Sequence, residues 1–386
     1  MLDLIPGAEI IMREIFGTIC LVGAIQSVFL LFVLLFKKNN RKANRYLSII
    51  MAFTAIDMLE LYLGARGYIE PARPYQLSII PYSFIFGPSA YLYTALLTAR
   101  IKTISKKHLL IFIPFIIVLT VNLLLQAVFD ADFLPRYVIY LNLGINGGGL
   151  LFECSLYVLS LLALQKYIGR LKEYFSAIDA MKLSLFRGAL VIMIMIVIFI
   201  FLPFTSESHV RQGYDILDVI AILFGLVLAF GIAFFAAVQP EIFNRVRLID
   251  KAVPLDEPAS SPRYEKLRLT ASKEESYVKN LSVYMSENKP FLNEELTLQD
   301  LADEISLSTH HLSMILNIHF KQNFYTFINT YRIDYVKQKL IHPDYKDQNI
   351  LSIAFSAGFN SKSTFNTMFK KFTGKTPKQF RAELTI

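Results

Sequence analysis

Seven apolar stretches, each about as long as a bilayer is thick, fill the first 240 of 386 residues and leave this chain few ways to fold. A hydrocarbon core of roughly 30 Å takes about 20 apolar residues of helix. The runs lie at 15–36, 47–65, 76–98, 109–129, 138–163, 187–204 and 215–238. With 54% of residues hydrophobic and 18% charged, the composition is too apolar for an ordinary soluble domain. It is also uneven, because from Tyr264 onward 16 Lys and Arg stand against 13 Asp and Glu in a globular mixture. The chain therefore reads as all-α. A polytopic seven-helix transmembrane bundle spans 1–240, a juxtamembrane linker 241–272, an amphipathic connecting helix 273–289 and a polar helical domain 290–386.

Two runs carry obstacles. Asp57 and Glu60 interrupt the second, and Gly147, Gly148 and Gly149 form a stretch in the fifth that an isolated helix would resist. The first run is no cleavable signal peptide, since it lacks a basic start and ends in a basic stop instead of a small-residue cleavage site. Positive charge sets the orientation, because short cytoplasmic loops retain Lys and Arg. One set of loops holds 14: Lys37, Lys38, Arg41, Lys42, Arg45, Arg100, Lys102, Lys106, Lys107, Lys166, Arg170, Lys172, Lys182 and Arg187. The other set, with the N-terminal segment, holds five: Arg13, Arg66, Arg73, Arg136 and Arg211. The N-terminus is expected outside and the C-terminal domain in the cytoplasm. These loop charges also account for much of the formal +8, which is therefore weak evidence for a nucleic-acid partner.

Ionisable groups inside a bilayer are rare and face a bundle interior or a cavity. Asp57, Glu60 and Glu153 are candidates for an intramembrane ligand site or for packing, with Asn122, Asn142 and Asn146 as uncharged neighbours. Asp57 and Glu60 stand three apart and share a helix face. Hydrogen bonding between helices is the plainer reading. Cys20 and Cys154 both fall within spans, so no disulfide framework, metal site or cofactor is expected.

Beyond Gln239-Pro240 the segment PLDEPASSP, ending at Pro262, reads as a linker. The stretch around 273–288 follows as an amphipathic helix with Ser272 as its cap and Glu275 completing a capping box. Its apolar face holds Tyr277, Val278, Leu281, Tyr284 and Met285, and either packs on the next domain or pairs with a second chain.

LTLQDLADEISLSTHHLSMILNIHF then places Leu298, Leu301, Ala302 and Ile305 inside a short helix, turns at Ser306 to Ser308, and starts a second helix near Thr309. Leu312, Ile315 and Leu316 face inward there, which leaves His310, Ser313, Met314 and Asn317 outward. The pattern returns about 52 residues later in NILSIAFSAGFNSKSTFNTMFKKFTGKTP, with one residue more in the turn. Ala354 answers Ala302, Phe359 answers Leu307, Phe365, Met368 and Phe369 answer the inward trio, and Gly358 takes a turn position suited to left-handed backbone. Lys362, Ser363, Asn366 and Thr367 face outward, and Lys370, Lys371, Lys375 and Lys378 suit phosphate contacts. A helix over 323–340 connects the copies.

Two such helix-turn-helix patterns joined by one helix closely resemble the DNA-binding domain of the AraC family of transcription regulators. The matching text is LTLQDLADEISLSTHHLSMIL, FINTYRIDYVKQKL and ILSIAFSAGFNSKSTFNTMFKKFTGKTPKQFR, over roughly 290–382. The resemblance implies two recognition helices entering successive major-groove segments about 34 Å apart. Members of the family often carry arginine on that outward face, whereas Met314 and Thr367 stand at the matching positions here. Readout then falls to His310, Asn317, Lys362 and Asn366, or to thymine-methyl contact by Met314.

The expectation is a bacterial regulator in the cytoplasmic (inner) membrane, whose bundle senses an unidentified ligand and controls a cytoplasmic domain bound to double-stranded DNA. It is not an enzyme and needs no cofactor. A homodimer and RNA polymerase are further expected partners, with the lipid bilayer around the bundle. A protease cut between Pro254 and Pro262 is a second route to the DNA. The alternative is a transporter or channel-like protein with a regulatory helical tail, in which Asp57, Glu60 and Glu153 form an ion path.

Overall fold

The computed structural model describes residues 8–38, 40–68, 80–98, 100–101, 103–128, 136–177 and 271–384, with scattered helical positions between 187 and 233. The described chain is helical, and its one extended pairing is an isolated antiparallel bridge between Phe175 and Thr297. It divides into two compact units, Met1–Leu164 with Phe186–Leu248, and Gln165–Leu185 with Ile249–Ile386. The sixth and seventh apolar runs, as elements, and the proline-rich linker lie outside the described residues.

In the first unit α1 (Ala8–Phe36) and α2 (Arg41–Arg66) are followed by α3 (Ser83–Leu97) and a short α4 (Lys106–Leu109). A 3-10 turn at Leu110–Phe112 leads from α4 into α5 (Ile113–Val128), and α6 (Arg136–Tyr174) is the longest helix. Among the described residues four stretches are long and apolar enough to cross a membrane: Arg13–Phe36, Arg41–Arg66, Lys106–Leu125 and Gly147–Tyr174. The third expected run forms a helix of only 15 residues, α3. Pro81 accounts for its late start, since a residue before proline is pushed out of helical backbone.

α1 and α2 form an antiparallel hairpin. Arg13 near the start of α1 donates to the carbonyl oxygens of Ala65, at 2.5 Å, and Gly64, at 3.3 Å, at the end of α2. A cation there adds a donor to carbonyls of the last turn, of which Gly64 O also takes the Gly67 amide, and opposes the negative end of the helix dipole. Glu14 and Arg66 pair beside it at 2.5 Å. Phe16, Cys20, Ala24, Met58, Ala65 and Leu226 form the core under this contact. Within the glycine stretch of α6 a neighbour uses the space at one position: a Cβ on Gly149 would lie 2.8 Å from the Phe84 ring of α3, while nothing lies within 4 Å of one on Gly148. Elsewhere the outer surface is hydrocarbon, with Phe29, Phe32, Ile116, Ile117, Leu124 and Leu151 all more than half exposed. A surface of that kind suits lipid and not water.

Two of the three candidate acids have hydrogen-bond partners of their own. Glu60 accepts from the Tyr82 hydroxyl at 3.0 Å, and buried Glu153 accepts from Tyr157, one turn along α6, at 2.7 Å. The first bond joins residues 22 apart in the chain, whereas the second lies within one helix.

α6 continues through Gln165, so its last turns belong to the second unit. Its 39 residues amount to about 58 Å, nearly twice a hydrocarbon core of roughly 30 Å. Ahead of the polar domain, α7 (Ala271–Glu287) begins earlier than the sequence implies, which puts Ser272 inside its first turn and not at its cap. The 3-10 turn Pro290–Leu292 follows, then α8 (Leu298–Glu304), α9 (Thr309–Ile318) and α10 (Phe324–Ile341). After the 3-10 turn Pro343–Tyr345 come α11 (Ile350–Ser356), α12 (Lys362–Thr373) and α13 (Pro377–Leu384).

One core joins Leu281 and Met285 of α7 to Leu298, Leu301 and Ala302 of α8, Leu312 and Leu316 of α9, and Phe324, Phe327 and Ile328 of α10. The apolar stripe of α7 thus packs on the adjoining domain, the first of its two expected uses. Each fully buried leucine is worth roughly 1.5–3 kcal/mol, so short helices that could not persist alone are held by their inner faces. In the C-terminal part an aromatic chain replaces leucine, with Phe359 to Phe365 at 5.3 Å, Phe365 to Phe369 at 5.6 Å and Phe369 to Phe380 at 5.4 Å.

Candidate nucleic-acid interface

Two helix pairs, α8 with α9 and α11 with α12, share one backbone plan. In the first, Thr297 accepts from the Asp300 amide at 3.2 Å while the Asp300 carboxylate takes the Thr297 amide at 2.9 Å, a reciprocal cap that fixes where α8 starts. Ser308 caps α9 by accepting from the His311 amide at 3.2 Å. In the second, Asn349 caps α11 through the Leu351 amide at 2.8 Å and Ser361 caps α12 through the Thr364 amide at 3.3 Å. The turns are closed alike. Leu307 donates its amide to Ala302 at 2.8 Å, and Phe359 donates to Ala354 at 3.2 Å. The side chains of all four are buried, and the small alanines let the second helix of each pair come close.

The turns differ where the sequence differs. Residues 305–308 separate the first pair and 357–361 the second, one residue more. Left-handed backbone falls on Ser306, with φ 55°, in the first turn, and on Gly358, with φ 90°, in the second. A Cβ on Gly358 would collide with the Phe291 carbonyl oxygen and come within 2.9 Å of both the Leu292 oxygen and the Arg332 Nε. Glycine is required there by conformation and by space.

On α12 the outward residues are as expected: Lys362, Ser363, Asn366 and Thr367 are exposed, and so are Lys370, Lys371, Lys375 and Lys378. Lys375 is partly engaged by an ion pair with Glu383. Gly374, with φ 74°, ends α12 beneath these lysines, where cations also favour the helix dipole. On α9 Asn317 is exposed and donates to Ser313 at 3.4 Å, while His310 and Ser313 are half-buried. Met314 departs from expectation, because it is only 5% exposed. A long, flexible thioether gains by folding against protein instead of standing in water, so the outward register of α9 does not make it available. The outward polar set on α9 reduces to His310, Ser313 and Asn317.

The most constrained polar group of the domain lies on α10. Arg332 is 1% exposed, and its guanidinium is held by oxygen atoms alone among the described residues: Phe291 O at 2.7 Å from Nε, Asn293 O at 2.8 Å and Ser176 Oγ at 3.1 Å from Nη2, and Ser176 O at 3.1 Å from Nη1. Burial lowers its pKa to about 10, opposed by the Tyr325 phenol and Glu294, so it remains a cation at neutral pH. Its charge stands 5.8 Å from the centre of the Phe359 ring in the second turn. Asn329, one turn earlier, is also fully buried and donates to Ser176 O at 3.1 Å and to Tyr325 O at 2.7 Å. Sequence reasoning passed over both residues. The signal was there, since Ile328, Arg332 and Val336 recur every four residues on one helix face and its outer two members are plainly core.

Comparison with known proteins agrees with the geometry of the helix pairs. Residues 301–383 match a helix-turn-helix domain family, over a range that runs from within α8 through the helix between the pairs and past the end of the second. An uncharacterized HTH-type transcriptional regulator of Staphylococcus aureus (strain COL) is 37% identical over 91 residues, covering 24% of this chain and 12% of that protein. The melibiose operon regulatory protein of Escherichia coli (strain K12) is 30% identical over 105 residues, covering 27% of this chain and 33% of its own length. A solved structure from Listeria innocua, of a protein of unknown function, is 24% identical with a TM-score of 0.24, covering 28% of this chain and 95% of that one. The C-terminal segment therefore carries an AraC-type helix-turn-helix domain. The curated relatives are named as regulators, not enzymes, and the chain spans a third or less of their length.

Proposed function

We propose that this protein is a membrane-anchored, sequence-specific DNA-binding regulator of transcription, with a seven-helix bundle that responds to a signal and a C-terminal domain of two helix-turn-helix subdomains. The observation that carries this reading is the repeated capped helix pair, whose second copy turns four polar residues and a lysine cluster to solvent. A helix with that face, entered by a fixed turn, suits the major groove, and the lysines beyond it suit phosphate. The regulators matched over the same residues support it.

Four apolar helices and a hydrocarbon outer surface support the membrane anchor, and the uneven placement of loop lysines and arginines supports a cytoplasmic C-terminal domain. Glu60 and Glu153, each bonded to a tyrosine, serve packing in this reading. Chromatin capture with the full-length protein tests the whole. Discrete enriched sites are expected, and their duplexes bind the protein in lipid nanodiscs with an affinity that falls steeply with salt. Capture no different from a mock sample, together with no binding to those duplexes at low salt, overturns the reading.

A further inference from the structure

The segment that leaves α6 ends in a built socket on the helix-turn-helix domain. Ser176 makes five hydrogen bonds there. Its amide and hydroxyl both donate to Leu296 O, at 3.2 and 2.7 Å. Its carbonyl accepts from Asn329 and Arg332, and its hydroxyl accepts from Arg332, each at 3.1 Å. Phe175, buried, bridges to Thr297, and Tyr174 packs against the core that holds α7 to α10. A single serine thus saturates its own polar atoms and serves two buried donors of another region.

The place of the socket matters more than its strength. Leu296 and Thr297 are the entry to α8, so the bridge lies at the doorstep of the first helix pair. Arg332 stands on the helix between the pairs and also holds Phe291 O, while its Nε defines the space that Gly358 leaves open in the second turn. One guanidinium therefore joins the approach to the first pair, the turn of the second and the strap from α6. Remove Ser176 and Nη1 loses its acceptor, Nη2 loses one of two, and Asn329 loses a partner. A buried cation left short of acceptors is drawn toward water, which loosens the joint that sets one recognition helix against the other.

We propose that Tyr174–Ser176 is a docking strap through which the helix α6 controls DNA binding, docked in the binding-competent state and released in the weak one. The proposal rests on the regulatory reading above and names its point of control. Coupling then follows from differential stability: an arrangement of α6 that withdraws the strap favours the loosened domain, and DNA that requires the fixed spacing favours the docked one.

The test uses the full chain in nanodiscs, with Cys20 and Cys154 replaced by serine, and a duplex enriched in the chromatin capture as probe. Antiparallel bridge partners have Cα atoms about 4.5–5.5 Å apart, within disulfide reach. Phe175→Cys with Thr297→Cys is therefore expected to cross-link on mild oxidation. With a protease site placed between Pro254 and Pro262, the cut C-terminal fragment stays attached to the membrane half on a non-reducing gel. Ser176→Pro, which removes the amide and hydroxyl donors, is expected to weaken duplex binding about tenfold, within the usual range for coupled sites. Oxidation of the cysteine pair in that background is expected to restore it, a rescue that a merely misfolded domain would not give.

Absence of the cross-link overturns the proposal whatever the protein does with DNA. A cross-link that forms while Ser176→Pro binds like the parent overturns it too, and makes the strap a packing feature. A cross-link in a protein that binds no captured duplex in any state sinks the regulatory reading itself, and the proposal with it.

Discussion

The two helix pairs of the C-terminal domain repeat one plan and diverge in what they offer to a partner. The first closes its turn on Ser306, packs leucine and isoleucine inside, and turns two half-buried polar residues and one exposed asparagine outward. The second closes on Gly358, packs phenylalanine inside, and presents four exposed polar residues ahead of four exposed lysines. Under the proposed function, a shared backbone with unlike faces leads us to expect phosphate contacts weighted to the second pair, with base contacts from both. The turn that tolerates no side chain lies in the pair richest in charge, so the most constrained backbone carries the most basic face.

Substitution in the turns breaks the comparison most sharply. Gly358→Ala forces a Cβ into the Phe291 oxygen at a left-handed φ of 90°, and is expected to destabilise the domain by about 3 kcal/mol or more. Hydrogen exchange on the full chain in detergent would show it as lost protection in α10 and α12. Survival of that protection means the second turn has more room than its geometry allows.

Next in size are the faces. Replacing Lys370, Lys371 and Lys378 by alanine is expected to lower the salt slope of duplex binding by nearly one per lysine and to weaken all sequences alike. His310→Ala or Asn317→Ala should leave that slope unchanged and relax sequence preference by about 1–3 kcal/mol. A changed slope for the α9 variants would erase the division between the pairs. The caps should be equal: Ser308→Ala and Ser361→Ala each remove one N-terminal bond and cost about 1 kcal/mol, read as exchange in α9 and α12. The smallest effect runs the other way. Ser306→Gly relieves a left-handed serine and should stabilise the first pair by about 0.5 kcal/mol, the gain being trimmed by glycine's extra freedom when unfolded.

Much of this architecture is legible because helical period and turn chemistry are local. Leu312, Ile315 and Leu316, and their counterparts Phe365, Met368 and Phe369, fall on buried faces as their spacing implies. Gly358 occupies the left-handed position that its place between two short helices implies. The limits of α3 and α7 were less legible, since Pro81 acts on the residues before it and a serine's preference for caps does not fix where a helix starts, Ser272 lying within the first turn. Met314 shows the weakness of a helical wheel, which ranks directions but does not know which side chains fold back. Glu60 and Glu153 show another, because composition flags an acid and is silent on the tyrosine that bonds it.

By itself the sequence determined the all-helical class, the apolar and polar halves, the paired helices and the residues that line their inner faces, all properties of spacing along the chain. Only the tertiary structure decided that Arg332 is a buried hub and that Ser176, 156 residues away, fills its socket. A buried charge selects its partners by geometry in three dimensions, and no period in a one-dimensional string encodes which distant carbonyl will be within reach.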